Sequence, residues 1–380
     1  MKLDNSLKIL SDMIAIPSVN PMGLGHTGDI YTEKHLVDYL ANRLRKIGCD
    51  IEIDQSDPEH PCIIGYLDNG AKETILLDSH LDTVSHLEMV IDPFDPLIKN
   101  DLMYGRGSCD TKASMATYID AIESINRRGE RFTKNILIVG CSDEEFSFSG
   151  MAKLKKKGLK ADYAIIGEPT ELNGLSTHKG VLRCYIRAEG VSCHSSTPEL
   201  GANAIYRICE AVKKLELYHH SLASKTHPLL GAATLSVGII KGGTTVNTVP
   251  SSAYIDVDRR LIPGENPEEV FNDIKKALKD CEGISLDSPY VKSSGYDQAH
   301  DTPIAKQLKH CCSRHQTNMK FTSASFATHG SFYETMSIPS IVFGPGSISK
   351  AHTKDEFVEI DQVLKASSII QTLLTTEHQI

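Results

Sequence analysis

Four apolar runs rich in branched residues predict buried strands along this chain. They are ETILLD (73–78), NILIVG (135–140), YAIIG (163–167) and PSIVFG (339–344). Between the first two, residues 112–127 repeat apolar side chains at helical spacing, which predicts an amphipathic helix. Strands that alternate with helices are typical of α/β folds. The pattern therefore predicts an α/β domain built on a mainly parallel mixed sheet.

Residues 181–291 follow a different pattern, in which single strands and helices alternate in the order β-α-β-β-α-β. The predicted elements are the strand 181–189, the helix 202–217, the strands 233–241 and 253–261, a helix that begins at Asn266-Pro267, and the strand 284–291. This order is that of a ferredoxin-like α+β domain. We therefore predict an inserted domain, 181–291, within a discontinuous first domain, 1–180 plus 292–380.

Composition and charge narrow the classes of function. A chain of 380 residues is long enough for two domains. Its net charge of −9 argues against a nucleic-acid partner. No apolar run approaches the roughly 20 residues of a membrane-spanning helix, so no membrane partner is expected. The N-terminal segment MKLDNSLKILSDMIAIPS carries acids within its apolar pattern, which favours an amphipathic helix over a signal peptide.

Ten cysteines occur without a single C-x-x-C pair. In a chain of this size without an export signal, reduced thiols are expected rather than a disulfide framework. We therefore predict a cytoplasmic protein.

The candidate chemistry lies close behind the predicted strands. Six acidic or imidazole side chains stand out: His80, Asp110, Glu144, Glu145, Glu168 and His352. All but Asp110 follow one of the four apolar runs within a few residues. Open α/β sheets bind ligands beyond the carboxyl ends of their strands. We therefore expect these side chains to meet at one edge of one sheet.

Two imidazoles and three carboxylates make a ligand set that suits two zinc ions, and cobalt or manganese also fits it. The six side chains include a fourth carboxylate, which is not needed as a ligand and lies next to a proposed ligand in the sequence. A hydrolase needs such a spare carboxylate as its general base. The set therefore predicts a two-metal hydrolase rather than a structural metal clamp.

Each motif taken alone has an ordinary explanation. Asp82, two residues after His80, could orient the imidazole or the neighbouring base, but H-x-D also occurs in surface turns. Asp110 could be a helix cap, and Glu144 and Glu145 could be solvated surface acids. The whole set, in this order, indicates a two-metal hydrolase much more specifically than any single motif does.

With the motifs H-x-D, G-R-G-x-x-D-x-K, E-E, G-E-P-T and a late A-H in this order, the chain resembles the metallopeptidase and deacylase family of acetylornithine deacetylase, succinyl-diaminopimelate desuccinylase, carboxypeptidase G and aminoacylase. The resemblance runs nearly end to end, with a lid domain inserted in the same place. It implies a cis peptide bond after Asp110 and the role of general base for Glu144. It also implies two zinc sites, formed by His80, Asp110 and Glu168 and by Asp110, Glu145 and His352.

The resemblance also implies roles for three residues of the inserted domain. His194 in GVSCHSSTPELGANAI would polarise the scissile carbonyl, often in the partner subunit of a homodimer joined through the lid. Asn247 in GGTTVNTVP matches the family's lid asparagine. Arg260 in DRRLIPGE, chosen over Arg259 by the pattern D-x-R-x-x-P-G, would bind a substrate carboxylate. The alternatives are a helix cap for His194 and an exposed strand charge for Arg260.

Two positions depart from the family pattern. Ala113 stands where the family usually has glycine, and the segment SFATHGSFY carries His329 where the family often has T-D or S-D. The second departure leaves the identity of the substrate open.

Amide hydrolysis of an N-acyl amino acid is the expected reaction, with dipeptidase or carboxypeptidase activity as the alternative. A metal-binding protein without catalysis is disfavoured because the spare glutamate is present. A nucleotide-dependent enzyme would need a G-x-G-x-x-G loop, and in GRGSCD the position of the last glycine is occupied by Asp110.

Overall fold

A computed structural model describes residues 3–377 of the chain. Its helices are α1 (Asn5–Ile14), α2 (Lys34–Lys46), α3 (Lys112–Arg128), α4 (Ser149–Lys157), α5 (Ala204–Ser221), α6 (Pro267–Ala277), α7 (Pro303–Arg314), α8 (Gly330–Thr335) and α9 (Ile360–Thr375). Short 3₁₀ helices occur at Pro198–Leu200 and Leu222–Ser224. The amphipathic helix predicted near the N-terminus is α1, and it begins after Asp4, whose side chain accepts the backbone N–H of Ser6.

The strands are numbered in chain order. They are β1 (Asp50–Asp54), β2 (Cys62–Leu67), β3 (Thr74–His80), β4 (Leu97–Lys99), β5 (Leu102–Tyr104), β6 (Asn135–Cys141), β7 (Tyr163–Ile166), β8 (Gly174–His178), β9 (Gly180–Glu189), β10 (Thr226–His227), β11 (Gly231–Ala232), β12 (Thr234–Gly242), β13 (Ser252–Leu261), β14 (Ile284–Leu286), β15 (Val291–Ser293), β16 (Tyr296–Asp297), β17 (Phe321–Ala324), β18 (Ser340–Val342) and β19 (Phe357–Glu359).

The chain divides into two compact units. The first consists of Met1–Ser176, Gln298–Thr322 and Thr328–Ile380, and the second of Thr177–Asp297 and Ser323–Ala327. The limits predicted for the inserted domain, 181 and 291, lie inside the second unit.

The first unit is built on a mixed sheet with the strand order β1-β2-β6-β3-β7-β18-β8. Its central strands β6, β3, β7 and β18 run parallel to one another, whereas β1, β2 and β8 are antiparallel to their neighbours. The four apolar runs form these central strands. A parallel strand that is covered on both faces has a nearly continuous apolar sequence. Strand β6 is an example, because all of its residues are buried. The prediction of an α/β fold with a mainly parallel mixed sheet is confirmed.

Helix α3 lies at the centre of the apolar core of this unit and packs against α1 and α9. Twelve of its residues are buried, so it is covered on most of its circumference. The helix ends at Gly129, whose φ of 66° is the left-handed conformation that favours glycine at this position. Because α3 is anchored in the core, its first turn is a rigid support for Asp110, two residues before it.

The second unit contains a sheet with the order β12-β13-β9-β14, in which every described pairing is antiparallel. The helices α5 and α6 cover one face of this sheet and form a separate apolar core with it. Residues of β13 alternate between buried and half-buried positions, because successive side chains point to opposite faces of a sheet. The other face therefore carries most of the polar side chains of β13, namely those of Asp256, Asp258 and Arg260.

Two further observations concern the whole described chain. No helix within residues 3–377 is both long and apolar enough to cross a lipid bilayer. All ten cysteines, which lie within the same residues, are free thiols.

Candidate metal centre

The carboxyl edge of the first unit's sheet collects the acidic and imidazole side chains. His80 is the last residue of β3, and Glu168 follows β7 by two residues. Glu144 and Glu145 lie in the turn after β6, Asp110 precedes α3, and His352 lies in the segment between β18 and β19. Parallel strands end at the same edge of a sheet, so side chains distant in sequence come together there.

The first group of potential ligands consists of His80, Asp110 and Glu168, which are all buried. One ligand atom from each lies within 4.8 Å of those of the other two. His80 Nε2 lies 3.0 Å from Asp110 Oδ1. The Nδ1 of the same imidazole lies 2.9 Å from the carbonyl oxygen of Asp82, to which it can donate a hydrogen bond. This contact leaves Nε2 free to face a cation, as is usual for metal-binding histidines.

The second group consists of Asp110, Glu145 and His352, whose ligand atoms also lie within 4.8 Å of one another. His352 Nε2 is 3.2 Å from Asp110 Oδ2 and 3.1 Å from Glu145 Oε2. Asp110 therefore turns Oδ1 toward the first group and Oδ2 toward the second. A carboxylate in this position can bridge two ions. The peptide bond that follows it, Asp110–Thr111, is cis, as the resemblance implies.

Electrostatics at this edge favour added positive charge. Burial, followed by neighbouring carboxylates, raises the pKa of Glu144 and of Glu168 well above the ordinary value, although His80 acts in the opposite direction. Hydrogen bonds with Asp110 and Glu145 raise the pKa of His352 to about 11. Several carboxylates crowded into one low-dielectric place repel one another and bind protons or cations tightly. The donor atoms, all imidazole nitrogen and carboxylate oxygen, fit divalent ions of the zinc type.

The turn that carries Glu144 and Glu145 is held by a buried carboxylate. Asp82 Oδ1 accepts the backbone N–H of Glu144 and Oδ2 that of Glu145, both at 3.0 Å. Asn20 Nδ2 donates to Asp82 Oδ2 at 2.9 Å and to Asp143 Oδ1 at 3.0 Å. Of the two roles considered for Asp82, its carboxylate orients the glutamate pair, and its backbone carbonyl orients His80. Asp82 thus contacts both the glutamate pair and His80 without belonging to either group of potential ligands.

Two residues that hold the segments carrying the potential ligands were not predicted from the sequence. Asn20 bonds the carboxylates of Asp82 and Asp143, and Glu356 accepts the backbone N–H of Asp110 at 3.0 Å. Asn20 lies in the N-terminal segment, far in sequence from every motif. Glu356 stands four residues after His352, in the run HTKDEF, but its neighbour Asp355 is an equally plausible acid by sequence.

The remaining sequence-predicted site residues lie in the second unit. His194 and Asn247 are exposed and stand on adjacent segments, because the backbone N–H of Ser195 donates to the Asn247 carbonyl oxygen at 3.1 Å. His194 Nδ1 lies 2.7 Å from Ser196 Oγ and accepts the backbone N–H of Ser196 at 3.1 Å. The imidazole thus caps its own turn through one nitrogen.

Arg260 and Arg259 point to opposite faces of the second unit's sheet. Arg259 is buried on the helix-covered face and donates to Glu265 at 2.6 Å. Arg260 is half-buried on the other face and donates to both carboxylate oxygens of Asp258, at 2.6 and 3.1 Å. Of the two arginines, only Arg260 stands on the face that α5 and α6 leave open.

His329, at the departure from the family pattern, is buried rather than exposed. Its Nδ1 donates a hydrogen bond to Asp78 Oδ2 at 2.7 Å. The ring of Phe148 packs edge-on against the imidazole, with 6.0 Å between the ring centroids. This histidine therefore belongs to the interior behind the edge of the sheet.

Comparison with known proteins concerns the sequence over most of its length. Residues 76–376 match the sequence profile of the peptidase family M20/M25/M40. The acetylornithine deacetylase of Vibrio campbellii is 30% identical over 380 residues, which cover 95% of this chain and 95% of that protein. The acetylornithine deacetylase of Aliivibrio salmonicida is 29% identical over 355 residues, which cover 89% of this chain and 90% of that protein.

Solved structures resemble the fold over nearly its whole length. An M20 family metallo-carboxypeptidase from Sulfolobus solfataricus, Sso-CP2, superimposes with a TM-score of 0.80 at 21% identity, covering 98% of this chain and 99% of the other. The di-peptidase Dug1p from Saccharomyces cerevisiae gives a TM-score of 0.80 at 14% identity, covering 97% and 95%. At such identities the likeness concerns the fold alone.

Proposed function

Because this chain belongs to the peptidase family M20/M25/M40, we propose that it is a two-metal hydrolase that cleaves the amide bond of an N-acyl amino acid. The observation that carries the proposal is the position of Asp110, which offers one carboxylate oxygen to each of two ligand groups. The relatives named acetylornithine deacetylase support an N-acyl amino acid as the substrate class.

Two divalent ions are the proposed cofactors, with zinc as the expected metal and cobalt or manganese as alternatives. The ions would supply Lewis acidity to the substrate carbonyl and lower the pKa of the attacking water. The proposed ligands are His80, Asp110 and Glu168 for one ion and Asp110, Glu145 and His352 for the other.

Glu144 is the proposed general base. Its backbone N–H is held by Asp82, and its carboxylate is not needed by either ligand group. It would take the proton of the attacking water and return it to the nitrogen of the leaving amine. Burial raises the pKa of Glu144 well above the ordinary value, which makes the carboxylate a stronger proton acceptor.

The family resemblance supports proposed roles for three residues of the second unit, the proposed lid. His194 would donate to the oxyanion that develops on the carbonyl, and Arg260 would bind the free carboxylate of the substrate. Asn247, on the segment adjacent to His194, would contact the substrate as well. In the proposed homodimer, each subunit would contribute its His194 to the site of the other.

A homodimer joined through the second unit is supported by the surface of that unit. Strand β12 is an edge of its sheet, and Ile239 and Ile240 on this strand are about half exposed. Tyr206 and Leu217 are exposed on α5, which packs against β12. An apolar edge strand beside an apolar helix face favours pairing with a second copy, and two-fold dimers are the commonest oligomers.

Peptidase activity is the alternative, because the solved structures with this fold include a carboxypeptidase and a di-peptidase. For either substrate the same residues would carry out the reaction. Free thiols at all ten cysteines support the predicted cytoplasmic location.

The test uses full-length protein loaded with zinc, cobalt or manganese. Release of amine is measured from N-acetyl amino acids, N-succinyl amino acids and dipeptides, with the variant Glu144→Ala as the background control. Hydrolysis of N-acyl amino acids that needs both Glu144 and added metal supports the proposal. Preference for dipeptides would favour the alternative, and a protein that binds no divalent ion would overturn both.

A further inference from the structure

Glu356 is a fully buried carboxylate that belongs to neither ligand group. Its Oε1 accepts the backbone N–H of Cys109 at 2.9 Å and of Asp110 at 3.0 Å. Its Oε2 accepts the backbone N–H of Gly107 at 3.1 Å and the Nη1 of Arg106 at 2.7 Å. Four donors from one loop, the loop that ends at Asp110, therefore converge on a single side chain.

Arg106 balances the charge of this carboxylate. Its side chain is also buried, and its second guanidinium nitrogen, Nη2, donates to the carbonyl oxygen of Ser85 at 2.8 Å. A buried carboxylate is tolerated only when it is paired and its lone pairs are satisfied, and charge-assisted bonds of this kind are the strong ones. The environment is therefore specific for a charged side chain of this length.

The backbone around Glu356 joins the same two segments. Its carbonyl oxygen accepts the N–H of Gly105 at 3.1 Å, and the next residue, Phe357, pairs with Tyr104 in the β5–β19 ladder. Glu356 stands four residues after His352, so it connects the segment carrying this imidazole to the loop carrying Asp110.

The two ligand groups differ in how their members are supported. In the first group, His80 ends β3 and Glu168 closely follows β7, so the central sheet holds both. In the second group, His352 lies in a loop, and half of its side chain is exposed. Its approach to Asp110 therefore depends on contacts between loops rather than on the sheet.

We propose that Glu356 is a positioning residue for the second metal site, which it maintains by holding the Asp110 loop against the segment of His352. The inference rests on the proposed function, because it presupposes that both groups bind metal. Asp82 offers a parallel, since it likewise accepts two successive backbone N–H groups, those of Glu144 and Glu145. Removal of Glu356 should weaken the site of Asp110, Glu145 and His352 and spare the site of His80, Asp110 and Glu168.

The experiment titrates the metal-free full-length protein with Co²⁺, following both heat and the visible absorption of the bound ion. The variant is Glu356→Gln, which keeps the shape but presents an amide N–H₂ to backbone N–H donors. The control is Glu359→Gln, three residues further on, whose carboxylate is exposed and contacts Gln362. Glu356→Asp retains the charge on a shorter side chain and serves as a second test variant.

We expect two ions in the wild type and in Glu359→Gln. In Glu356→Gln we expect one ion at nearly the original affinity and a second one weakened about 10–100-fold, the usual effect of removing a partner outside the ligand shell. Glu356→Asp should weaken the second ion less. If Glu356→Gln does not fold, Glu356→Asp carries the test.

Three outcomes would overturn the inference or its basis. Binding of both ions by Glu356→Gln as in the wild type would show that Glu356 does not position the site. Equal weakening of both ions would make it a general support rather than one of the second site. A wild type that binds no Co²⁺ would instead overturn the proposed function, whatever the variants do.

Discussion

The imidazole of His329 donates a hydrogen bond to the carboxylate of Asp78 at 2.7 Å, and both side chains are buried. Asp78 lies on β3, two residues before His80, so the pair supports the strand that ends in a proposed metal ligand. His329, which stands at the departure from the family pattern, therefore contacts the interior rather than solvent.

Replacing His329 should therefore affect stability. In His329→Ala the Asp78 carboxylate keeps its burial and loses the imidazole donor to its Oδ2, which is expected to lower the free energy of unfolding by about 3 kcal/mol. Urea unfolding measures the change. His35→Ala is the control, since His35 contacts Asp29 at 3.9 Å on the surface, with side-chain exposures of 51% and 98%. Equal stability of the two variants would contradict a structural role for His329.

The glutamate pair can be separated by two variants. Glu144→Ala should retain both metal ions and lose turnover by several orders of magnitude, because the proposed base is gone while the ligands remain. Glu145→Ala should weaken binding at one metal site. Elemental analysis together with kcat distinguishes these outcomes. If Glu144→Ala loses metal and Glu145→Ala retains both ions and full activity, the assignment within the pair is reversed.

Asp82→Asn tests the support of that pair. The amide nitrogen of the new side chain would face a backbone N–H, of Glu144 or Glu145, that now donates to a carboxylate. We expect kcat to fall about 10–100-fold, the usual range for partners outside the ligand shell. Asp68→Asn, at an exposed residue whose carboxylate accepts only the nearby Gly70 N–H among the described contacts, is the control. Unchanged kcat in Asp82→Asn would show that the turn holds its shape without this carboxylate.

Metal removal should destabilise the protein more strongly as the pH rises. Burial raises the folded-state pKa of Glu144 and Glu168 well above the ordinary value of 4.5. Each group therefore binds its proton more tightly in the folded than in the unfolded state. The stability that this adds is complete below pH 4.5 and is lost as the pH rises through the folded-state pKa. Bound cations would offset the same negative charges at higher pH.

The measurement compares the Tm of metal-free and zinc-loaded protein between about pH 5 and 8, a range in which the metal also competes with protons for its ligands. The difference in Tm should grow with pH. A difference that stays constant or shrinks over this range would contradict the proposal that cations compensate these carboxylates.

An experiment can determine whether His194 acts in the site of its own subunit or in that of the partner subunit. His194→Ala should lower kcat by about 10²–10³ without displacing metal, as is typical for loss of one oxyanion donor. Mixing this variant with Glu144→Ala tests sharing, because a heterodimer with shared sites would contain one site in which both groups are intact. Partial recovery of activity is expected. No recovery after confirmed subunit exchange, or a fully active monomer, would exclude the shared site.

Local sequence pattern determined the central elements of the first unit. The strands β3, β6, β7 and β18 are covered on both faces, so their sequences are continuous apolar runs that can be recognised without any partner. Helix α3, predicted over 112–127, spans Lys112–Arg128 because one chain segment carries both its apolar spacing and its terminal glycine. The strands β1 and β2, at one side of the sheet, were not predicted, since they depend on pairing with neighbours as much as on their own sequence.

The order of the motifs likewise predicted which side chains lie together as candidate metal ligands, and the tertiary structure decided what holds them there. Glu356 and Asp355 are adjacent acids, yet Glu356 is buried and Asp355 is exposed. The difference arises because the backbone donors of Cys109 and Asp110, about 250 positions away in the chain, face only Glu356. Ligand types are a property of residue chemistry and can be read from sequence. Support by buried hydrogen bonds requires distant backbone groups to meet, and only the folded chain brings them together.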